Sequence, residues 1–233
     1  MQELITNYEN ILSRVEDLHP ELDAHLENKD GMVMVRHPLI YSVPHSDMLN
    51  ALLNVRFGLI KDKLEKYKQR EDHAAIVMLH ERPYRLEAFI NYVVDQVQPT
   101  KYWQILGEVY TDSENIFQNY ETWEELLFTN APTAKPKAFM QVDNYKLFKA
   151  LPDTVQVFRG TQNDVWRGFS WTLNEDKAQW FANRNRSRVS EPMVTAGKVK
   201  KSKILGYFDG RNESEVVCHF NDVVITGQYK LGD

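Results

Sequence analysis

Two glutamates, Glu213 and Glu215, stand two residues apart where the apolar run Val216-Val217-Cys218 begins. Side chains alternate faces along a strand, so this spacing predicts that both carboxylates point to one side. A fixed carboxylate pair can steady a developing cation and take a proton from an incoming nucleophile. Upstream, Phe158-Arg159-Gly160 closes one strand-like stretch and Ser170-Trp171-Thr172 closes another. A guanidinium fork matches phosphate oxygens better than a lysine does, and a glycine lets a ligand approach the backbone closely. Singly, each piece is ordinary: an Arg beside a turn, a Ser-x-Thr within a strand, two glutamates on a solvated strand face. Their order along the chain is what carries chemistry.

These groups must be held by the elements around them, and the periodicity of those elements changes midway. Leu4, Ile5, Tyr8, Ile11, Leu12, Val15 and Leu18 recur at helical spacing, predicting a helix over residues 2–28 that ends near Gly31. A second helix is expected from Ser46, a natural N-cap, to about Gln69. Two further helical stretches, 71–97 and 101–128, are each broken, one by Pro83 and one by the polar patch from Asp112 to Asn119. Pro132, Ala134 and Pro136 mark a connector, and a short helix over 144–150 follows. Beyond it, strands are expected at 155–159, 167–172, 194–199, 203–208, 215–220 and 223–229, with one helix over 174–184. Thr172 and Glu175 have capping-box spacing at the start of that helix. The reading is an α+β chain with a helical N-terminal region, 1–138, and a strand-rich domain, 139–233, that carries the candidate residues.

Composition bounds the class. With 233 residues, 42% hydrophobic and 26% charged, the chain can bury one substantial core or two small ones. There is no apolar run of membrane-spanning length, and the start Met1-Gln2-Glu3 lacks the basic, then apolar, pattern of a secretory signal, so a cytoplasmic protein is expected. The one cysteine, Cys218, reads as core. No G-x-G-x-x-G fingerprint, phosphate loop or Cys/His metal cluster is present, and His80-Glu81-Arg82 lacks the second histidine of a metalloprotease helix. Acidic side chains crowd residues 1–30, whereas Arg184, Arg186, Arg188, Lys198, Lys200, Lys201 and Lys203 make residues 184–203 basic, either a phosphate-binding stretch or a solvated face.

Taken in order, the arginine, Ser-x-Thr and Glu-x-Glu elements resemble the signature of mono-ADP-ribosyltransferases related to the arginine-modifying toxins. The resemblance covers residues 155–229, about a third of the chain, and includes the helix with Ala178, Trp180, Phe181 and Ala182. It implies a split mixed β-sheet, NAD as co-substrate and no metal. On the matching positions, Glu215 would bond the ribose 2-hydroxyl, Glu213 would act on the nucleophile, and Arg159 would bind NAD near its phosphates. Gly160 would hold the nicotinamide amide, Ser170 would orient Glu215, and Thr172 would brace the strand. Trp171, facing the opposite side, would be core. One of Arg184, Arg186 and Arg188 would touch the pyrophosphate, and Tyr207, Phe208 and Arg211 would lie in a target-recognition segment. Only ten residues separate Arg159 from Ser170, fewer than in many family members, which suggests a tight hairpin-like link.

The Glu-x-Glu form makes a protein arginine the first expected acceptor. The runner-up is a base of RNA or DNA, whose phosphates the basic stretch would suit. Such an enzyme would act as an intracellular toxin or effector, a defence component or a phage-delivered modifier, and an antitoxin or immunity partner would neutralise it. The rival class is a catalytically inactive binding protein of the same fold.

Overall fold

The computed structural model describes residues 10–11, 13–114, 116–133, 136–163, 165–184, 191–210 and 212–232. Its contacts divide the chain into two compact units, Met1–Gln96 and Val97–Asp233.

In the first unit, a four-residue helix α1 (Pro20–Asp23) is followed by an antiparallel meander of β1 (Leu26–Lys29), β2 (Met32–His37) and β3 (Ile40–Pro44). The expected helix over 2–28 therefore does not run through to Gly31. Lys29 pairs with Met32, and the two linking residues, Asp30 and Gly31, both have positive φ, at 54° and 83°. Asp-Gly between strands is the favoured two-residue hairpin turn, and it redirects the chain where a helix was expected to end. Helices α2 (Asn50–Gln69), α3 (His73–Leu79) and α4 (Arg85–Tyr92) follow, with a 3-10 turn at Pro83 between the last two. Leu22, Val35, Ile40, Leu53 and Phe57 form the centre of this unit's core. Ser46 precedes a 3-10 turn without making a side-chain capping bond.

The second unit holds α5 (Pro99–Asp112), α6 (Tyr120–Glu124), α7 (Pro136–Phe139) and α8 (Val142–Ala150) before its first strand. Strands β4 (Thr154–Gln162) and β5 (Ser170–Thr172), helix α9 (Glu175–Asn183) and strands β6 (Pro192–Lys200), β7 (Ile204–Phe208), β8 (Glu215–Cys218) and β9 (Val223–Lys230) complete it. They form one six-stranded sheet in the order β7-β8-β5-β4-β6-β9.

Every neighbouring pair in that sheet is antiparallel, which corrects the expectation of a mixed sheet. The physical reason lies in the strands joined by α9: β5 and β6 run in the same direction, but β4 lies between them and opposes both. Within this one sheet the pairing is narrowest between β4 and β5. A single pair, Phe158 with Thr172, joins β4 to β5, whereas nine pairs join β4 to β6. Past Phe158, β4 and β5 make no further pair.

The unit boundary also falls earlier than the expected division at 138/139. Residues 97–138 belong with the sheet because their aromatic side chains pack into its core. Trp103 and Tyr110 are fully buried against Phe139, and Tyr110 stacks on Phe208 of β7 at 5.8 Å.

Candidate functional site

The Glu-x-Glu segment is held by hydrogen bonds from two directions. Glu215 opens β8 and is paired with Thr172 on one side and Phe208 on the other, leaving it 9% exposed. Glu213 precedes the strand. Between the two, Ser214 has φ of 45°, a left-handed backbone that costs a non-glycine residue about 1–2 kcal/mol. Asp209 restrains this turn: its Oδ1 accepts from Ser214 N at 2.9 Å and Ser214 Oγ at 3.3 Å. Thr172 Oγ1 donates to the Glu213 carbonyl at 2.6 Å and accepts from Asn174 N at 3.1 Å. Strand alternation is therefore not what aligns the glutamates; a braced turn brings both to the same cleft. Thr172 braces this turn, and the α9 cap is Asn174, whose side chain accepts from Lys177 N at 3.2 Å.

Arg159 reaches from β4 to β5. Its Nη1 donates to the Ser170 carbonyl of β5, and the guanidinium passes directly over Gly168, where a Cβ would stand 2.6 Å from Cζ. Burial holds the guanidinium below its ordinary pKa, opposed by the neighbouring Tyr110 and by the Glu215 carboxylate. Its Nε is buried with no hydrogen-bond partner among the described residues. A buried guanidinium donor left in this state is costly.

Arg159, Gly160, Ser170, Thr172, Glu213 and Glu215 line one cleft of about 450 Å³, inside the range of about 300–1,000 Å³ typical of small-molecule sites. Arg184, at the end of α9, lines it too and lies over the Trp180 ring at 5.4 Å. Apolar walls come from Phe158, Phe181, Ile116 and Phe117, the last 63% exposed. Two arginines and the carboxylates of Glu114, Glu213 and Glu215 thus share a concave, partly aromatic surface. That combination suits a ligand with both a phosphate group and a cationic ring.

Other expected site residues fall elsewhere. Tyr207 and Phe208 are each 6% exposed, with Tyr207 N donating to Met140 Sδ at 3.1 Å and Phe208 packed edge-on against Phe139. They are core side chains, not target contacts, because β7 is covered by α7 and α8. Arg186, Arg188 and Arg211 lie outside the described residues. Gly160 lines the cleft as expected, yet its missing side chain serves packing: a Cβ there would stand 2.6 Å from the Ala178 carbonyl carbon of α9. Trp171 is buried, as is Cys218, whose thiol burial pushes up to about 12.

Of the basic stretch, Arg184 lines the cleft, whereas Lys198, Lys200, Lys201 and Lys203 do not. Lys200 is paired with Thr154, five residues from Arg159 along β4, about 17 Å away. Lys201 Nζ donates to the Lys149 and Leu151 carbonyls, and Lys203 pairs with Asp222 at 3.0 Å.

Tyr110 was not legible as a site residue. It comes from α5, and its hydroxyl donates to Glu215 Oε1 at 3.0 Å. Burial pushes the phenol well above its ordinary pKa, and the Glu215 charge pushes the same way, so it is a neutral donor at any physiological pH. A wider hollow of about 690 Å³ in the first unit, beside Lys68, His73 and Asp95, contains none of the motif residues. Among the described residues, no group of three or more His, Cys, Asp or Glu is placed to hold a metal ion, and no helix is long and apolar enough to cross a membrane.

Comparison with known proteins finds no matching family model, no similar curated protein and no similar solved structure.

Proposed function

We propose that the chain is an NAD-dependent mono-ADP-ribosyltransferase whose first acceptor class is a protein arginine. The single observation that carries this reading is the gathering of Arg159, Ser170, Thr172, Glu213 and Glu215 around one cleft where β4 and β5 share a single pair. The residues fit the co-substrate. Arg159 and Arg184, which both line the cleft, supply charge for the pyrophosphate. The backbone of β4 beyond Phe158, released from β5, offers edge groups to the nicotinamide amide. Phe158, Phe117 and Phe181 offer ring faces.

In this reading the bond between ribose C1′ and the nicotinamide nitrogen breaks, and nicotinamide leaves as a neutral molecule. Positive charge gathers on the ribose, as in other glycosyl transfers. Glu215, bonded to the 2-hydroxyl, stabilises it. An acceptor guanidinium nitrogen forms the new bond to C1′ and gives its proton to Glu213. Glu213 is half-buried at the cleft wall, where a carboxylate can also dock a guanidinium with paired hydrogen bonds. A nucleic-acid base remains the second acceptor class, though two lysines of the basic stretch are already engaged with the protein itself.

The acceptor is tested by incubating the protein with NAD labelled in its adenylate moiety and a cell extract, then digesting with protease or nuclease. Label lost to small fragments on protease treatment and retained after nuclease supports the arginine reading. Label released by nuclease alone replaces it with a nucleic acid.

A further inference from the structure

We propose that Tyr110 is a positioning residue for Glu215, holding its carboxylate in one orientation and in its ionised form. The inference rests on the transferase reading above and extends it to a helix that carries none of the signature motifs. Glu215 is nearly buried, and burial disfavours a charged carboxylate. A donated hydrogen bond favours the charged form, and Tyr110 Oη supplies one at 3.0 Å.

The donor is itself held rigidly. Its ring stacks on Phe208 at 5.8 Å and meets Trp123 edge-on at 5.5 Å, so the hydroxyl has one place to point. Other groups act on the same cluster. Arg159 approaches from β4, Ser170 from β5, and Glu213 from the turn before β8. Tyr120 and Cys218 face Arg159 in turn. Arg159 and Tyr110 favour the Glu215 anion, whereas Glu213 opposes it by like charge. A core tyrosine with no catalytic bearing would need only some acceptor for its hydroxyl; this one is satisfied by the carboxylate that the reaction is proposed to use.

The test is Tyr110→Phe, which removes one oxygen and keeps the ring packing. Losing a donor to a charged group raises the carboxyl pKa by about one to two pH units. The reaction needs the ionised form, so the acid limb of the NAD-cleavage profile moves up by that amount. Independently of that shift, the lost orientation lowers kcat on the plateau above the acid limb by about tenfold, while KM for NAD stays within about twofold. A second variant guards against a folding defect: 3-fluorotyrosine placed at position 110 is a stronger donor of the same shape, and it moves the acid limb down. Unchanged pH profiles in both variants, with Glu215→Gln inactive, overturn the role of Tyr110 and leave the transferase reading standing. If the wild-type chain cleaves no NAD, that reading falls separately. The carboxyl titration of Glu215, seen by infrared as the band missing in Glu215→Gln, then decides the pairing. An upward move in Tyr110→Phe supports it, and no move overturns it.

Discussion

Gly160→Ala should loosen the second unit at the joint between β4 and α9. A Cβ on residue 160 would stand 2.6 Å from the Ala178 carbonyl carbon and 2.8 Å from the Ala182 amide nitrogen, with the Ala178 carbonyl oxygen closer still. Carbon atoms rest at about 3.5–4.0 Å, so the helix must retreat by roughly 1 Å or more. All three neighbours are backbone atoms, and no rotamer change can make room. Retreat opens the small cluster of Ala178, Ala182 and Val194, which are fully buried. Overpacking of this kind costs about 1–3 kcal/mol, and the rigid neighbours put this case at the upper end. At roughly 2–4 °C per kcal/mol for a chain of this size, the melting temperature should drop by about 5–10 °C. Because α9 also carries Phe181 and Arg184 to the cleft, affinity for NAD should fall as well. Calorimetric melting of the variant beside Gly227→Ala is the assay, since a Cβ at 227 meets nothing within 4 Å. A Gly160→Ala melt indistinguishable from that control would refute the packing argument.

Gly168→Ala should act differently, since its Cβ would meet the Arg159 side chain, not backbone. The guanidinium is displaced, NAD affinity falls about tenfold by titration calorimetry, and the melting temperature moves less than in Gly160→Ala. Unaltered affinity would show that Arg159 does not hold the ligand. Glu213→Gln should slow transfer to an arginine acceptor by about 10²-fold or more while NAD hydrolysis by water is affected far less. Equal loss in the two assays would remove the division of labour between the glutamates.

What was legible in the sequence was legible locally. All six strands of the larger sheet announce themselves as short apolar runs, and β4, which continues three residues past its expected end, still carries Arg159 and Gly160 where they were placed. The N-terminal meander was missed although Asp30-Gly31, followed by Met32-Val33-Met34-Val35, is a hairpin signal; the helical stripe over residues 2–18 outweighed it. Two further misses are long-range. Nothing local distinguishes Tyr110 from its neighbours Leu106 and Val109 on an apolar helix face, because its partner lies 105 residues away. Tyr207 and Phe208 look exposable beside a glycine-bearing turn, and long-range packing against β7, of Phe139, Met140 and Tyr110 among others, buries them. Glu213 and Glu215 share one cleft, as their spacing predicts, but through a different geometry, since the left-handed Ser214 cannot be read from a strand pattern.

The central claim is that Glu215 is the anion on which NAD cleavage depends. Release of nicotinamide from NAD should be measured for the wild-type chain and for Glu215→Gln, with NAD binding measured on the same samples by calorimetry. The account predicts that the wild type releases nicotinamide and that the variant binds NAD within a few-fold of wild type but cleaves it about 10²–10³-fold more slowly, because the lost interaction belongs to the transition state. A variant that cleaves NAD at close to the wild-type rate, or a wild-type chain that neither binds nor cleaves it, would contradict the account.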